Sequence, residues 1–157
     1  MRNLRRRNRV PRVLAVSSGG GHWIQMKRLL PAFRNCQVTY ATVKPARLPS
    51  DDGSALHYIP DANQDTKWKL VLLTMRLAWI ILRVRPQVVI STGAAPGYLA
   101  IRLGRMLGAK TLFLDSIANA QQLSLSAKLA RDYADVTLSQ WKQVAVENNL
   151  PCWGAVL

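Results

Sequence analysis

Short apolar runs alternate along this chain with longer segments in which apolar residues recur every three or four positions. The short runs predict buried strands at 12–16, 37–43, 56–59, 87–91, 111–115 and 136–138. The longer segments predict helices at 23–33, 66–85, 96–107, 124–133 and 141–148. Strands that alternate with helices are typical of a parallel sheet covered on both faces. The pattern therefore predicts one α/β domain, a single Rossmann-like doubly wound parallel sheet.

The charge balance is unusual for such a domain. The chain has 157 residues, of which 49% are hydrophobic, and its 22 lysines and arginines against 8 acidic residues give a formal net charge of +14. Arginines crowd the start, so we divide the chain into a basic arm, residues 1–11, and a domain, residues 12–157. The arm suits an anionic partner, namely an acidic membrane surface, a phosphate-bearing substrate or nucleic acid, or else it is a solvated segment that keeps the protein soluble.

The two cysteines and the start of the chain indicate the compartment. Cys36 and Cys152 lie far apart and outside any cysteine or histidine motif, which favours reduced thiols over a disulfide framework or a zinc site. The apolar run near Val13 is too short for a signal peptide and leads directly into a glycine loop. We therefore expect a cytoplasmic protein without a metal site.

Polar residues follow three of the predicted strands. The clusters are Ser17-Ser18-Gly19-Gly20-Gly21-His22, Ser91-Thr92-Gly93 and Asp115-Ser116. In an open parallel sheet, ligands bind beyond the carboxyl ends of the strands, so all three clusters are expected at one edge. The sequence therefore predicts a binding site there.

Of the three clusters, the glycine loop gives the most specific indication of a ligand, namely a phosphate group. Glycines let the backbone approach a phosphate, and the following helix offers free N–H groups and the positive end of its dipole. His22, in the first turn, is expected to donate to a pyrophosphate oxygen or to act as a general base; the alternative is a plain turn with a solvent-facing histidine. Ile24 and Lys44 replace the last glycine and the acidic residue of the dinucleotide fingerprint, and no Walker lysine is present, so no NAD or ATP cofactor is predicted.

The other polar residues allow two interpretations each. Asp115 is expected either to orient a substrate hydroxyl or act as a base, or merely to cap a loop. Thr92 and Gly93 either add donors to the same pocket or form a simple turn. His57 lies in a short strand pattern and is expected to be structural.

The helix predicted at 66–85 raises the question of a membrane. Its apolar stretch, 70–82, is shorter than the roughly 20 residues that a spanning helix needs, and lysines and arginines flank it. It is expected either to pack against the sheet as a crossover helix or to present a face with Trp68 and Trp79 to a lipid surface. The two interpretations are compatible if opposite faces do each.

Motifs from one end of the domain to the other match a known pattern. Its first part is the glycine loop with His22, then Met26 and Leu29-Leu30. Its second part is Ser91-Thr92-Gly93, Asp115-Ser116-Ile117-Ala118, Leu123-Ser124-Leu125-Ser126, Lys128-Leu129, Ala134-Asp135 and Gln140-Trp141. In order and spacing, over residues 12–157, these motifs resemble the acceptor-binding subunit of the split N-acetylglucosaminyltransferase of lipid-linked oligosaccharide assembly and its bacterial relatives in exopolysaccharide synthesis.

This resemblance implies the N-terminal half of a GT-B glycosyltransferase. Such a subunit binds a polyprenyl-pyrophosphate-linked acceptor, while a separate small subunit binds the UDP-sugar, and activity needs both. A more distant likeness is to the N-terminal domain of the transferase that makes peptidoglycan lipid II, where a Gly-Gly-His loop faces the pyrophosphate of the acceptor. The donor sugar stays open among glucuronate, galactose and N-acetylglucosamine.

The resemblance also implies roles for individual residues. Carried over to this chain, it places Gly19, Gly20, Gly21 and His22 against the pyrophosphate. With Ser18, Thr92, Gly93 and Ser116 from the polar clusters, these residues make up the expected acceptor and pyrophosphate site. Asp115 is expected near the acceptor sugar, and His22 and Asp115 are the two candidates for the catalytic base. The family usually has Glu at the position of Asp115, which keeps the charge but shortens the reach.

The expected membrane attachment differs from that of the family, whereas the expected partner is implied by the family. Eukaryotic members carry an N-terminal membrane span, whereas here we expect peripheral attachment to the cytoplasmic face of the inner membrane through the arginine arm and helix 66–85. A GT-B enzyme needs two domains of roughly 100–200 residues each, and the apolar stretch 151–157 suits docking of a partner. The rival interpretations are a non-catalytic scaffold subunit and a nucleic-acid-binding protein, the latter leaving the glycine loop unexplained.

Overall fold

The computed structural model describes residues 10–44, 53–62 and 67–156. Most of the basic arm (1–9), the segments 45–52 and 63–66, and residue 157 lie outside the described residues. The strands are β1 (Arg12–Val16), β2 (Gln37–Thr42), β3 (Ala55–Tyr58), β4 (Val88–Ser91), β5 (Lys110–Leu114) and β6 (Val136–Leu138). The helices are α1 (Gly21–Arg28), α2 (Lys67–Val84), α3 (Ala94–Met106), α4 (Leu125–Ala130) and α5 (Lys142–Glu147), with a 3-10 helix at Leu30–Phe33.

The described strands form one sheet in which every neighbouring pair is parallel. Their order is β3-β2-β1-β4-β5-β6. Ala15 on β1 lies opposite Tyr40 on β2 and Ile90 on β4, so the sheet grows outward in both directions from β1 and β4. The doubly wound sheet predicted from the sequence is confirmed.

Each side of the sheet has its own helices. Leu14 and Val16 of β1 point to one side, where they join a buried cluster with side chains of α2, α3, α4 and α5. Val13 and Ala15 point to the other side, where they pack with α1 and the 3-10 helix. These four side chains are at most 3% exposed, and a fully buried valine or leucine contributes about 1.5–3 kcal/mol. The apolar β1 therefore anchors the middle of the sheet.

The prediction of one helix over 23–33 is wrong for its second half. The α-helix ends at Arg28, and the 3-10 helix follows. Pro31 accounts for the break, because a proline inside an α-helix removes a hydrogen bond and clashes with the preceding turn. The tighter turn still places Phe33 in the core.

The helix predicted at 66–85 is α2, and its end is well defined. Arg85 adopts a left-handed φ of 48° immediately before Pro86, which itself disfavours a helical residue in front of it. The guanidinium of Arg12 donates two hydrogen bonds, 3.0 and 2.9 Å long, to the carbonyl of Arg85. The start of β1 thus holds the end of α2.

The two long faces of α2 differ in their surroundings. Leu73, Leu77 and Ile80 are fully buried against the sheet, as expected for a crossover helix. The exposed apolar side chains of the other face are Trp68, Val71, Leu72, Met75, Trp79 and Leu82. Within the described ranges, no helix has the length and hydropathy that crossing a bilayer requires.

Candidate functional site

The centre of the sheet edge is the point at which the chain reverses its direction of travel across the sheet. After β1 the chain enters α1 on one side, and after β4 it enters α3 on the other side. The two connections therefore separate and leave a crevice beyond the carboxyl ends of β1 and β4, where ligands of such sheets bind. Two of the three predicted polar clusters line this crevice.

The glycine loop brings the start of α1 to the crevice. Gly20 has a φ of 62° and occupies the position before the first helical residue, where a left-handed conformation favours glycine. Apart from adjoining residues of the chain, no atom of the described residues lies within 4 Å of where a side chain on Gly20 or Gly21 would begin. No described side chain caps the start of α1. Its first N–H groups are therefore open to a ligand from outside.

Thr42, at the end of β2, holds this loop from behind. Its hydroxyl donates to the carbonyl of Ser18 at 3.2 Å and accepts from the hydroxyl of Ser17 at 3.4 Å. Thr42 is fully buried. Thr42 was not among the predicted site residues. The feature of the sequence that could have identified it is a threonine at the end of a buried strand.

The start of α3 reaches the same crevice from the other side. Gly93 precedes the helix with a φ of 129°, and Ala94 has a left-handed φ of 63°, a conformation that costs a non-glycine residue on the order of 1–2 kcal/mol. The hydroxyl of Ser91 accepts from the N–H of Gly93 at 3.1 Å. A Cβ on Gly97 would lie only 2.0 Å from that hydroxyl. Among the described residues no side chain caps this helix start either.

His22 joins the two helix starts. Its Nδ1 lies 2.8 Å from the carbonyl oxygen of Thr92, and the hydroxyl of Thr92 donates to the carbonyl of His22, also at 2.8 Å. A carbonyl only accepts, so in the neutral ring Nδ1 carries the proton and Nε2 presents a lone pair. A Cβ on Gly93 would lie 2.6 Å from Cε1 of the ring. His22 is thus a half-buried ring with a fixed orientation and not a solvent-facing one.

Asp115 lies at the end of β5 and is 2% exposed. Its carboxylate accepts hydrogen bonds from the N–H of Ser116 at 2.9 Å, the side chain of Asn119 at 3.0 Å and the N–H of Ser124 at 3.0 Å. These bonds hold the loop 116–124 against β5. The structure thus gives Asp115 the loop-capping surroundings that the sequence left open as one alternative.

Ser116 contacts α1. It is 7% exposed, and its hydroxyl accepts from Nε2 of Gln25 at 3.0 Å. Gln25 is itself buried, one turn after His22 on α1. The third predicted cluster is therefore connected to the other two through a glutamine that the sequence analysis missed. A polar residue on the buried side of a short helix was the available signal.

A second concave surface adjoins the glycine loop. It is an open cavity of about 590 Å³ lined by Val43, Lys44, Tyr58, Ile59, Pro60, Asp61, Leu72 and Arg76. Lys44 lies 5.0 Å from the centre of the Tyr58 ring, and Arg76 lies 4.8 Å from that of Trp79. Lys44 and Arg76 thus bring two positive charges to the lining of this cavity.

His57, on β3, packs against α2 beside this second surface. Partial burial, and then the positive charge of Arg76, lower the pKa of His57 below its ordinary value. Its ring packs edge-on against Trp79 with the centres 5.9 Å apart. These packing contacts agree with the structural role predicted for His57.

Comparisons with known proteins show the fold. MurG of Acinetobacter baumannii superposes with a TM-score of 0.69 at 17% identity, covering 94% of this chain and 44% of that one. A UDP-N-acetylglucosamine 2-epimerase from Rickettsia bellii gives 0.69 at 11% identity, covering 91% and 43%. A glycosyltransferase from Rickettsia africae gives 0.60 at 13% identity, covering 90% and 40%. No protein-family model and no curated protein matches the sequence.

The chain therefore has the GT-B Rossmann-like fold found in these structures. It spans less than half the length of each of the three.

Proposed function

On the premise of this GT-B fold, we propose that the chain is the acceptor-binding half of a two-component glycosyltransferase. It holds a polyprenyl-pyrophosphate-linked saccharide while a separate donor-binding subunit supplies the UDP-sugar, in polysaccharide or oligosaccharide biosynthesis. The observation that carries the proposal is the convergence of two uncapped helix starts on His22 in the central crevice.

A pyrophosphate fits the chemistry of this crevice. The starts of α1 and α3 each offer free N–H groups and the positive end of a helix dipole, which together favour an anion. The open space over Gly20 and Gly21 lets phosphate oxygens approach the backbone. The one predicted site carboxylate, on Asp115, is buried in its own loop and does not repel the ligand.

Of the two candidates for the catalytic base, His22 is the better placed. Its Nε2 has no hydrogen-bond partner among the described residues, while the carboxylate of Asp115 already accepts three hydrogen bonds. In the proposed reaction an acceptor hydroxyl forms a bond to the anomeric carbon of the donor and gives its proton to Nε2. The bond from that carbon to UDP breaks, and the partner subunit stabilises the departing UDP.

The exposed face of α2 supports attachment to a membrane surface. Trp68, Met75 and Trp79 are each about half exposed or more, and Lys69 and Arg76 lie over the two indole rings. Aromatic and apolar side chains ringed by cations bind the interface of an anionic bilayer. We place this face, with the arginine arm, on the cytoplasmic side of the inner membrane, where a polyprenyl-linked acceptor is embedded.

The segment 151–156 supports docking of the donor-binding partner. It crosses the side of the sheet that α1 covers only in part, and Trp153 on it is 71% exposed. Between this segment and Leu112, Leu114 and Leu138 lies an apolar cavity of about 340 Å³. The chain spans less than half the length of the solved GT-B structures, and in the proposed assembly the partner carries the donor-binding half.

The test is sugar transfer from radiolabelled UDP-sugars to a membrane lipid extract. It is measured with this chain alone, with the small protein encoded beside its gene alone, and with both proteins together. We expect transfer only with both proteins, and its loss in His22→Ala but not in His57→Ala, the control at the other histidine. Full transfer by His22→Ala would support the scaffold alternative. No transfer with any donor, together with tight and salt-sensitive binding to nucleic acid, would overturn the proposal.

A further inference from the structure

Two glutamine side chains form a buried amide pair outside the crevice. Gln25 on α1 and Gln140 after β6 are each 5% exposed. The Nε2 of Gln140 donates to the Oε1 of Gln25 at 2.8 Å, although the two residues are 115 positions apart. Burying two amides is unfavourable unless their hydrogen bonds are satisfied. The pair therefore needs a reason to be inside the protein.

The surrounding backbone fixes the orientation of both amides. The N–H of Val156 donates to Oε1 of Gln140 at 2.8 Å, and the carbonyl of Asp115 accepts from its Nε2 at 2.8 Å. The N–H of Ile117 donates to Oε1 of Gln25 at 3.3 Å. A backbone N–H can only donate and a backbone carbonyl can only accept. Exchanging the oxygen and nitrogen of either side-chain amide by a half-turn would therefore break these hydrogen bonds. A fully satisfied buried network of this kind specifies one arrangement of the segments that it joins.

The network connects the segment 151–156 to the helix that carries His22. Both polar groups of Val156 are held from α1: its N–H through Gln140 and Gln25, and its carbonyl directly by Arg28 at 3.2 Å. Gln25 lies one helical turn after His22. A displacement of Val156 therefore acts on two successive turns of α1.

We propose that Gln25 and Gln140 are positioning residues, which set the orientation of α1 and His22 according to how segment 151–156 is seated. The catalytic meaning rests on the proposed function, because we place the donor-binding partner on this segment. Docking of the partner then fixes Val156, and through the amide pair it fixes the acceptor site. The mechanical link is independent of the reaction and is tested separately.

The chain has two histidines, so a histidine-labelled sample gives two imidazole signals in an NMR spectrum. We expect Gln140→Met, which keeps the length but cannot hydrogen-bond, to shift or broaden the signal of His22 and to leave that of His57 in place. Val156→Pro, which removes the N–H donor at the other end of the network, should do the same. The control is Gln143→Met, because the exposed side chain of Gln143 hydrogen-bonds only Glu147 among the described residues, at 3.0 Å.

A purely structural network predicts a different result. In that case Gln140→Met lowers the midpoint of unfolding while the folded protein keeps its His22 signal unchanged, and this outcome overturns the proposal. If Gln140→Met does not fold, Val156→Pro decides, since it leaves both glutamines in place. In the reconstituted transferase, Gln140→Met should lower turnover several-fold with little change in KM for the donor. Absence of transfer in the unmodified pair would overturn the proposed function and leave the NMR result standing.

Discussion

The chemistry of His22 is set by two residues seventy positions away. The carbonyl of Thr92 accepts a hydrogen bond from Nδ1–H, and the missing side chain of Gly93 leaves room for the ring. From the sequence, the glycine loop and Ser91-Thr92-Gly93 were two turns expected at one edge. Their contact could not be predicted, because it depends on β1 and β4 being neighbours in the sheet.

Replacing Gly93 by alanine should therefore act on His22. A Cβ would lie 2.6 Å from Cε1, so the ring must rotate and lose its bond to Thr92. We expect Gly93→Ala to move the His22 imidazole signal in an NMR spectrum and to lower sugar transfer by about tenfold or more, because misplacing a catalytic group by an ångström is costly.

Gly108→Ala is the matched control for this substitution. Gly108 has a similar left-handed φ of 84° but open space where a Cβ would stand, so it reports backbone strain alone, on the order of 1–3 kcal/mol. We expect it to lower stability without moving the His22 signal. An unchanged His22 signal in Gly93→Ala would show that the ring does not depend on this contact.

At the scale of elements, local patterns predicted nearly every helix and strand, and the misses have local causes. Pro31 divided one predicted helix into two. The predicted helix at 124–133 became the shorter α4, whose start is capped by the hydroxyl of Ser124 accepting from the N–H of Ala127 at 3.0 Å. Buried polar contacts between elements were not predictable, because they join residues far apart in the chain.

Asp135 makes a partly exposed contact of this long-range kind, and it joins β5, β6 and α3. Its carboxylate accepts from the N–H of Thr111 at 2.8 Å and pairs with Arg105. Burial alone would raise the pKa of Asp135, but the hydrogen bonds from Thr111 and Arg105, and the charge of Arg105, hold the pKa below its ordinary value. The ionised form therefore stabilises the fold.

Asp135→Asn should make the stability less dependent on pH in the acid range. A carboxyl whose pKa is lowered by folding contributes its full stability above the unfolded pKa and loses it as the pH falls through the folded pKa. We expect Asp135→Asn to cost about 1 kcal/mol near pH 7. The difference from the unmodified protein should shrink as the pH falls below the ordinary aspartate pKa and vanish below the lowered pKa of the folded protein. Urea unfolding across this range measures it.

Asp132→Asn, at an exposed aspartate a few residues earlier, is the control for the loss of one negative charge. It should leave the unfolding free energy unchanged at every pH. A difference for Asp135→Asn that persists undiminished in strong acid would mean that packing, and not the ionised carboxylate, is responsible.

At the scale of the whole molecule, the fold class was predictable from the alternation of strands and helices, and the solved GT-B structures agree with it. The direction in which α2 presents its aromatic side chains was not predictable, because its apolar residues run around most of the helix. The structure separates them into a buried row and an exposed row. In the proposed function, the exposed row and the net charge of +14 act together at an anionic surface.

Removal of two exposed side chains from α2 should weaken binding to anionic vesicles. Trp68 and Met75 are each 64% exposed, and burying such a side chain contributes about 1.5–3 kcal/mol at most. We expect the double variant Trp68→Ser, Met75→Ser to bind vesicles containing phosphatidylglycerol at least about tenfold more weakly in a sedimentation assay. Binding should also fall with added salt.

Trp153→Ser provides the comparison, since Trp153 is just as exposed but lies on segment 151–156. It should bind the same vesicles as tightly as the unmodified chain. Equal binding by the α2 double variant would assign the membrane contact to the basic arm alone.

The uncapped starts of α1 and α3 also bear on the protein in the absence of its substrate. In the proposed function a small polyanion fits between them only when the chain is folded, so it shifts the folding equilibrium by mass action. An anion at about one hundred times its Kd adds about 2.7 kcal/mol to the free energy of unfolding. The folded fraction of this protein then depends on the phosphate compounds dissolved around it, and a melting temperature taken in phosphate buffer describes a different equilibrium from one taken without phosphate.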